Sequence, residues 1–281
     1  MKPVLVFTPL LLGAVAIAGS FLWLSPKPSA PALSTVAGAA TTAGAVPSAA
    51  PAAPTARYIE VVDGCGPHFE GACVNVRSAP NASSTSVLQL RTGIVLAVAT
   101  STTVDEAGRT WYQIIFNEPL RYPVRVNGSW YVASDYVQPF QDAGDQELAP
   151  GEAVASTTKH ILVDRTTQML YAYDGDMLFM QTPVSTGLDL TPTPRGTFTV
   201  YKKTPSRYMQ GPLPGISDQY YDLPGVPWDL YFTEQGGAIH GAYWHTEFGH
   251  EWSHGCVNLP LDAAKKLYDW TPLGTPVVVR D

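Results

Sequence analysis

Two short runs decide how this chain is read: Ala238-Ile239-His240-Gly241 and, beginning thirteen positions after His240, Ser253-His254-Gly255-Cys256-Val257-Asn258. Together they place two histidines close in sequence to a thiol. A cysteine is a strong nucleophile only as thiolate, and it reaches that form near neutrality with the help of a base or a positive field, either of which histidine supplies. Gly255, directly before Cys256, lets backbone approach a substrate closely, and consecutive N–H groups there can face a developing oxyanion.

Working outward, the cysteine count singles out the same thiol. The 281 residues contain three cysteines. Cys65 and Cys73 flank a short loop with Gly66, Pro67 and Gly71, a spacing that permits a local disulfide, whereas Cys256 has no partner nearby. The N-terminus predicts an oxidising destination. Met1-Lys2 precedes an uncharged, largely apolar run from Val4 to Leu24, long enough to span a bilayer as an uncleaved anchor. Ala16-Ile17-Ala18 offers the alternative of signal-peptide cleavage. Either way the rest of the chain is expected outside the cytoplasm, membrane-anchored or secreted to the cell wall. Residues 25–56, rich in Ala, Pro, Ser and Thr, carry too few large apolar groups to order and predict a tether.

Residues 57–140 alternate short β-like runs with turn signals: Tyr58–Val62, Val74–Arg77, Ile94–Val98, Trp111–Ile115 and Ser129–Val132. The pattern predicts a small barrel. Asn75-Val76-Arg77-Ser78-Ala79-Pro80, Trp111-Tyr112-Gln113-Ile114 and Trp130–Val137 resemble bacterial SH3-like domains. Residues 141–157 read as a second linker. From 158 to 281 the sequence predicts a β-rich domain, with strands at Ile161–Asp164, Gln168–Tyr173, Leu178–Met180 and Thr197–Tyr201. One short helix is predicted over Pro260–Trp270, with Ala264, Leu267 and Tyr268 on one face, and a closing strand over Pro276–Val279. The fold class expected is mainly β, an SH3-like barrel followed by a β-rich domain with one C-terminal helix.

The second segment resembles the L,D-transpeptidase (YkuD-like) catalytic domain. The resemblance rests on His240-Gly241 with Ser253-His254-Gly255-Cys256, preceded by Val184-Ser185-Thr186-Gly187 and Thr193-Pro194-Arg195-Gly196-Thr197-Phe198. It implies that Cys256 attacks the carbonyl of the third residue of a peptidoglycan stem tetrapeptide, expelling D-alanine and forming a thioester that an acceptor amine resolves. It implies that His240 is the acid–base group, that the Gly241 carbonyl orients its ring, and that the amides of His254, Gly255 and Cys256 face the oxyanion, with the His254 side chain structural or tuning. Ser253, Asn258 and Tyr221 are the residues expected to contact substrate. Many relatives carry Arg two positions after the cysteine, where this chain has Asn258, and an amide grips a carboxylate less strongly than a guanidinium. Residues 204–228 read as an irregular run, in the region where the family carries a mobile lid.

Other classes are weighed against this one. His250-Glu251-Trp252-Ser253-His254 spells the H-E-x-x-H zinc signature, but that reading needs a helix and a third ligand, and no Glu follows Glu251. A wall-binding protein with a silent catalytic domain and an L,D-carboxypeptidase using water as acceptor remain alternatives. His68, His160 and His245 read as packing or surface residues. No metal or cofactor is called for, and a monomer is expected. A formal charge of −7 with scattered Lys and Arg argues against nucleic acid as partner.

Overall fold

Strand formation follows the alternation of buried and open residues. In β1 (Ala56–Val61) Tyr58, Ile59 and Val61 are buried, and in β2 (Val74–Arg77) Val74 and Val76 point inward while Asn75 and Arg77 do not. The computed structural model describes residues 55–149, 151, 157–215 and 217–281. The expected anchor and nearly all of the tether lie outside the described residues, and no described helix is long and apolar enough to cross a membrane.

β1 and β2 join β3 (Ser86–Leu90), β4 (Val95–Val104), β5 (Thr110–Ile114), β6 (Trp130–Ala133) and β7 (Val137–Asp142) in one sheet of order β3-β2-β6-β5-β4-β1-β7. The predicted barrel is not seen as a closed ladder, because β3 and β7 are the two edges and do not pair. Closure is one way to cover a sheet, and packing against another element is the other. This sheet takes the second. Phe140 of β7 packs on Trp228 at 5.5 Å, and Tyr208, Val226 and Tyr243 from the second half of the chain are buried in the same core as Ile59, Val76 and Trp130. β3 escaped the sequence reading because it is an edge strand whose residues, Leu90 apart, are largely exposed.

The second half forms two five-stranded sheets. One has the order β11-β10-β9-β17-β12, with β9 (Lys159–Asp164), β10 (Met169–Asp174), β11 (Met177–Pro183), β12 (Gly196–Thr199) and β17 (Pro276–Arg280). The other has the order β16-β15-β14-β13-β8, with β8 (Gln146–Glu147), β13 (Lys202–Gln210), β14 (Asp222–Tyr231), β15 (Ala238–Gly241) and β16 (Val257–Leu259). β8 falls within the predicted linker and pairs with Lys202 and Lys203. Between the sheets lie Ile161, Val163, Leu170, Leu230, Ile239 and Val257, joined by Ala264, Leu267 and Tyr268 of α1 (Leu261–Trp270). Pro260 stands at the N-cap of that helix, and the buried Lys203 amine donates to the carbonyls of Tyr268 and Thr271 at 2.8 and 2.6 Å, capping the negative end of the helix dipole.

Residues 204–228 are mostly not irregular. They lie largely in the long β13–β14 hairpin, with a register shift between Arg207 and Met209, and only the connection around 211–221 is non-repetitive. Pro224 and Pro227 hid β14 from the sequence reading. They are tolerated because β15 pairs only with Leu230 and Tyr231, so the proline stretch needs no donor on that side. Gly225, at φ +64°, also allows β14 to approach β4, since a Cβ there would lie 2.3 Å from the Val95 carbonyl oxygen.

Cys65 and Cys73 form a disulfide, and Cys65 is almost fully buried. The Arg91 guanidinium donates to the Pro67 carbonyl at 2.9 Å and lies over Phe69 and Tyr243, tying this loop to the second half of the chain. Closing so short a loop removes denatured-state entropy worth about 2–3 kcal/mol. The Cys65→Ser/Cys73→Ser double variant is expected to lose about that much stability in a urea titration.

Candidate active site

β15 and β16 run parallel, with Ile239 opposite Val257, His240 opposite Asn258 and Gly241 opposite Leu259. That register places His240 on one strand beside the residue that follows Cys256 by two on the other. Residues 238–241 and 257–259 are all buried, so neither strand can slip without exposing core. His240 is 1% exposed. Its Nδ1 lies 3.1 Å from the Gly241 carbonyl oxygen. Because a carbonyl only accepts, Nδ1 carries the proton and Nε2 presents a lone pair. His240 and Cys256 line one cleft of about 990 Å³, together with Trp244, Tyr221, His254 and Trp252.

The turn holding Cys256 is braced from within. Ser253 Oγ donates to the Cys256 carbonyl at 2.5 Å and accepts the Gly255 N–H at 3.1 Å. Thr193 Oγ1 accepts the Gly187 N–H at 2.9 Å and donates to the same Cys256 carbonyl at 3.4 Å. Gly255 adopts φ +116°, a conformation that L side chains rarely reach. Two expectations change here. The Ser253 hydroxyl is buried and doubly engaged, so it shapes the loop, and the Gly255 amide is taken up by Ser253 Oγ instead of facing an oxyanion. The upstream motif is scaffolding too: Ser185 exchanges two backbone hydrogen bonds with Asn258, and the Trp252 and Ser253 amides donate to the Thr186 carbonyl. Thr193 and Gln168, whose side chain bonds to Thr186, were missed as site residues because isolated polar side chains carry no periodic signal.

His254 turns toward the β13–β14 connection. Its Nε2 donates to Gln219 Oε1 at 2.6 Å, and its ring lies 5.5 Å from that of Tyr221. Tyr221 lines the cleft as expected of a substrate contact, and burial, then the nearby Cys256 charge, push its hydroxyl up to about 12. Asn258 is different. It is 2% exposed, and its amide group meets His245 Nε2 at 3.0 Å. His245 Nδ1 already accepts the Glu247 N–H, so neutral His245 has its proton on Nε2 and needs an oxygen, which the Asn258 amide supplies by turning about its last torsion. Asn258 also lines the cleft, with its head group engaged by His245. Residues 250–254 are not helical, so His250 and His254 are not presented on one helix face as the zinc reading requires.

Comparison with known proteins bears on the same segment. Residues 158–279 match YkuD, the L,D-transpeptidase catalytic domain. The chain is 34% identical over 104 residues to the Mycobacterium tuberculosis protein designated L,D-transpeptidase 3, covering 35% of this chain and 38% of that relative. It is 27% identical over 141 residues to the YkuD L,D-transpeptidase of Bacillus licheniformis, covering 49% of this chain and 75% of that one. Among solved structures, an L,D-transpeptidase from Mycobacterium smegmatis shares 22% identity over 66% of this chain and 97% of its own, with a TM-score of 0.42.

Burial in the YkuD-like segment favours the neutral forms of His240, Cys256 and Asp229. Burial lowers the His240 imidazole to about 4, partly offset by the Gly241 carbonyl, and burial pushes the Cys256 thiol up to about 11. At neutral pH the resting pair is therefore thiol and neutral imidazole. Asp229 on β14, fully buried with neither carboxyl oxygen hydrogen-bonded, is held well above the ordinary carboxylate range by burial and by Glu118. Such a group favours the folded state while protonated and loses that contribution as pH rises. Asp229→Asn, which cannot ionise, is expected to flatten this dependence and to gain about 1–3 kcal/mol over the parent at pH 8 relative to pH 5, read by urea melts at both values.

Proposed function

We propose that this protein is a cysteine-dependent L,D-transpeptidase that cross-links peptidoglycan stem peptides in cell-wall biogenesis. The observation that carries the reading is the His240 Nδ1–Gly241 carbonyl hydrogen bond, which leaves Nε2 as acceptor in the cleft that Cys256 also lines. Nε2 takes the thiol proton as sulfur attacks the carbonyl of the third stem residue. The C–N bond then breaks, the proton passes to the departing amine of D-alanine, and a thioester remains. An acceptor amine attacks it, gives its proton to His240, and breaks the C–S bond to restore the thiol. The His254 and Cys256 amides are the groups assigned to the oxyanion.

In this reading residues 57–140 act as an SH3-like wall-facing module and the N-terminal run as a membrane anchor, with the protein working as an extracytoplasmic monomer. The test is to incubate it with a tetrapeptide-containing muropeptide and weigh the products. Transpeptidation gives a dimer lacking one D-alanine. Loss of D-alanine alone makes it an L,D-carboxypeptidase, and an unchanged muropeptide overturns both.

A further inference from the structure

One wall of the cleft comes from outside the YkuD-like segment. The connection from β5 to β6 is fastened to the β13–β14 hairpin at several points. Glu118 forms an ion pair with Arg207 and accepts the Tyr208 N–H at 2.6 Å. Tyr122 donates its N–H to Gln210 Oε1 and its hydroxyl to the Pro212 carbonyl, both at 2.8 Å. Arg125 donates to the Gly211 carbonyl at 2.7 Å and pairs with Asp222 at 3.2 Å. Between these fastenings Pro119, Leu120 and Arg121 face the cleft.

The charges of that cleft are unbalanced. Arg121 and Arg207 are the two arginines among its described lining residues, and no Asp or Glu lines it. Arg207 is paired with Glu118, whereas Arg121 makes no ion pair or hydrogen bond with any described residue and is exposed. Arg121, Tyr221 and Cys256 line the same cleft. A guanidinium that is fixed at its backbone and unpaired at its head is suited to take a carboxylate bidentately. A tetrapeptide cut before its last residue bears such a carboxylate one residue beyond the scissile carbonyl, about 3.5 Å of chain away.

We propose that Arg121 is a specificity residue for the donor peptide, binding its terminal carboxylate from a wall that the N-terminal sheet supplies. The assignment rests on the transpeptidase reading for the identity of the peptide, but not for the presence of an anion site beside Cys256.

Two measurements on the whole protein separate these. In the first, Cys256, the free thiol among the described cysteines, is alkylated with iodoacetate and with iodoacetamide, reagents of similar size that differ in charge. The iodoacetate-to-iodoacetamide rate ratio is expected to fall about tenfold in Arg121→Ala and to recover largely in Arg121→Lys, in line with the loss of one charge-assisted hydrogen bond. In the second, the tetrapeptide is compared with its terminal D-alaninamide. The parent is expected to favour the free acid through KM, and Arg121→Ala to lose that preference with kcat little changed. An unchanged alkylation ratio in Arg121→Ala overturns the anion site. A reduced ratio with the acid preference intact overturns the assignment to the terminal carboxylate. If the parent turns over neither peptide, the transpeptidase reading fails and the terminal-carboxylate assignment fails with it, while the alkylation ratio still decides for or against the anion site.

Discussion

Cys256→Ala is expected to abolish turnover of a tetrapeptide substrate and to leave the protein folded. The side chain is half-buried, its Sγ makes a long contact to the Gly236 carbonyl at 4.0 Å, and the turn around it is held by Ser253 and Thr193 through the backbone carbonyl, which alanine retains. In the proposed mechanism, a thiolate able to open a stem peptide can also open a strained β-lactam amide. Intact-protein mass of the parent should therefore rise by one carbapenem equivalent, and that of Cys256→Ala should not. An adduct on Cys256→Ala would show that another residue is the nucleophile.

His240→Ala is expected to slow that acylation by about 10²–10⁴-fold, the range typical of a positioned acid–base group. The pH dependence distinguishes this histidine from His254. The motif by itself suggests an ionisation near neutrality. Burial moves it: with the imidazole lowered to about 4, the base form is fully present above about pH 5, and the rate should fall only as pH drops through about 4. His254→Ala should keep that acid limb with a reduced plateau, because its ring contacts Gln219 and Tyr221 and acts on loop geometry. His240→Ala should lose the limb. A variant lacking His240 that retains both rate and limb would make His254 the base.

How much of this was legible beforehand depends on where the information sits. The pairing of the His240 ring with the Gly241 carbonyl, in a cleft that Cys256 also lines, was readable because these residues lie in two contiguous runs whose spacing is itself the signal. The C-terminal helix was readable from the period of Ala264, Leu267 and Tyr268, each of which is buried. β14 was not, since its two prolines are acceptable only at an edge that the chain creates by ending β15 early. Ser253 and Asn258 were named as substrate contacts because they adjoin the thiol in sequence. Both line the cleft, but adjacency does not say where a head group points: one is hydrogen-bonded within the turn and the other to His245, thirteen residues away.

The sequence by itself determined which groups meet at the site, because a thiol, two histidines and the glycine before the thiol are matters of residue type at short range. Tertiary structure decided the environment. Burial is a property of everything packed around a group, so the neutral His240–Cys256 pair, the raised Asp229 carboxyl and the sheet covered by a neighbour instead of closed on itself follow from contacts between residues far apart in the chain. The same holds for Arg121, an unremarkable surface residue in the sequence until Glu118, Tyr122 and Arg125 fasten its loop to the wall of the cleft.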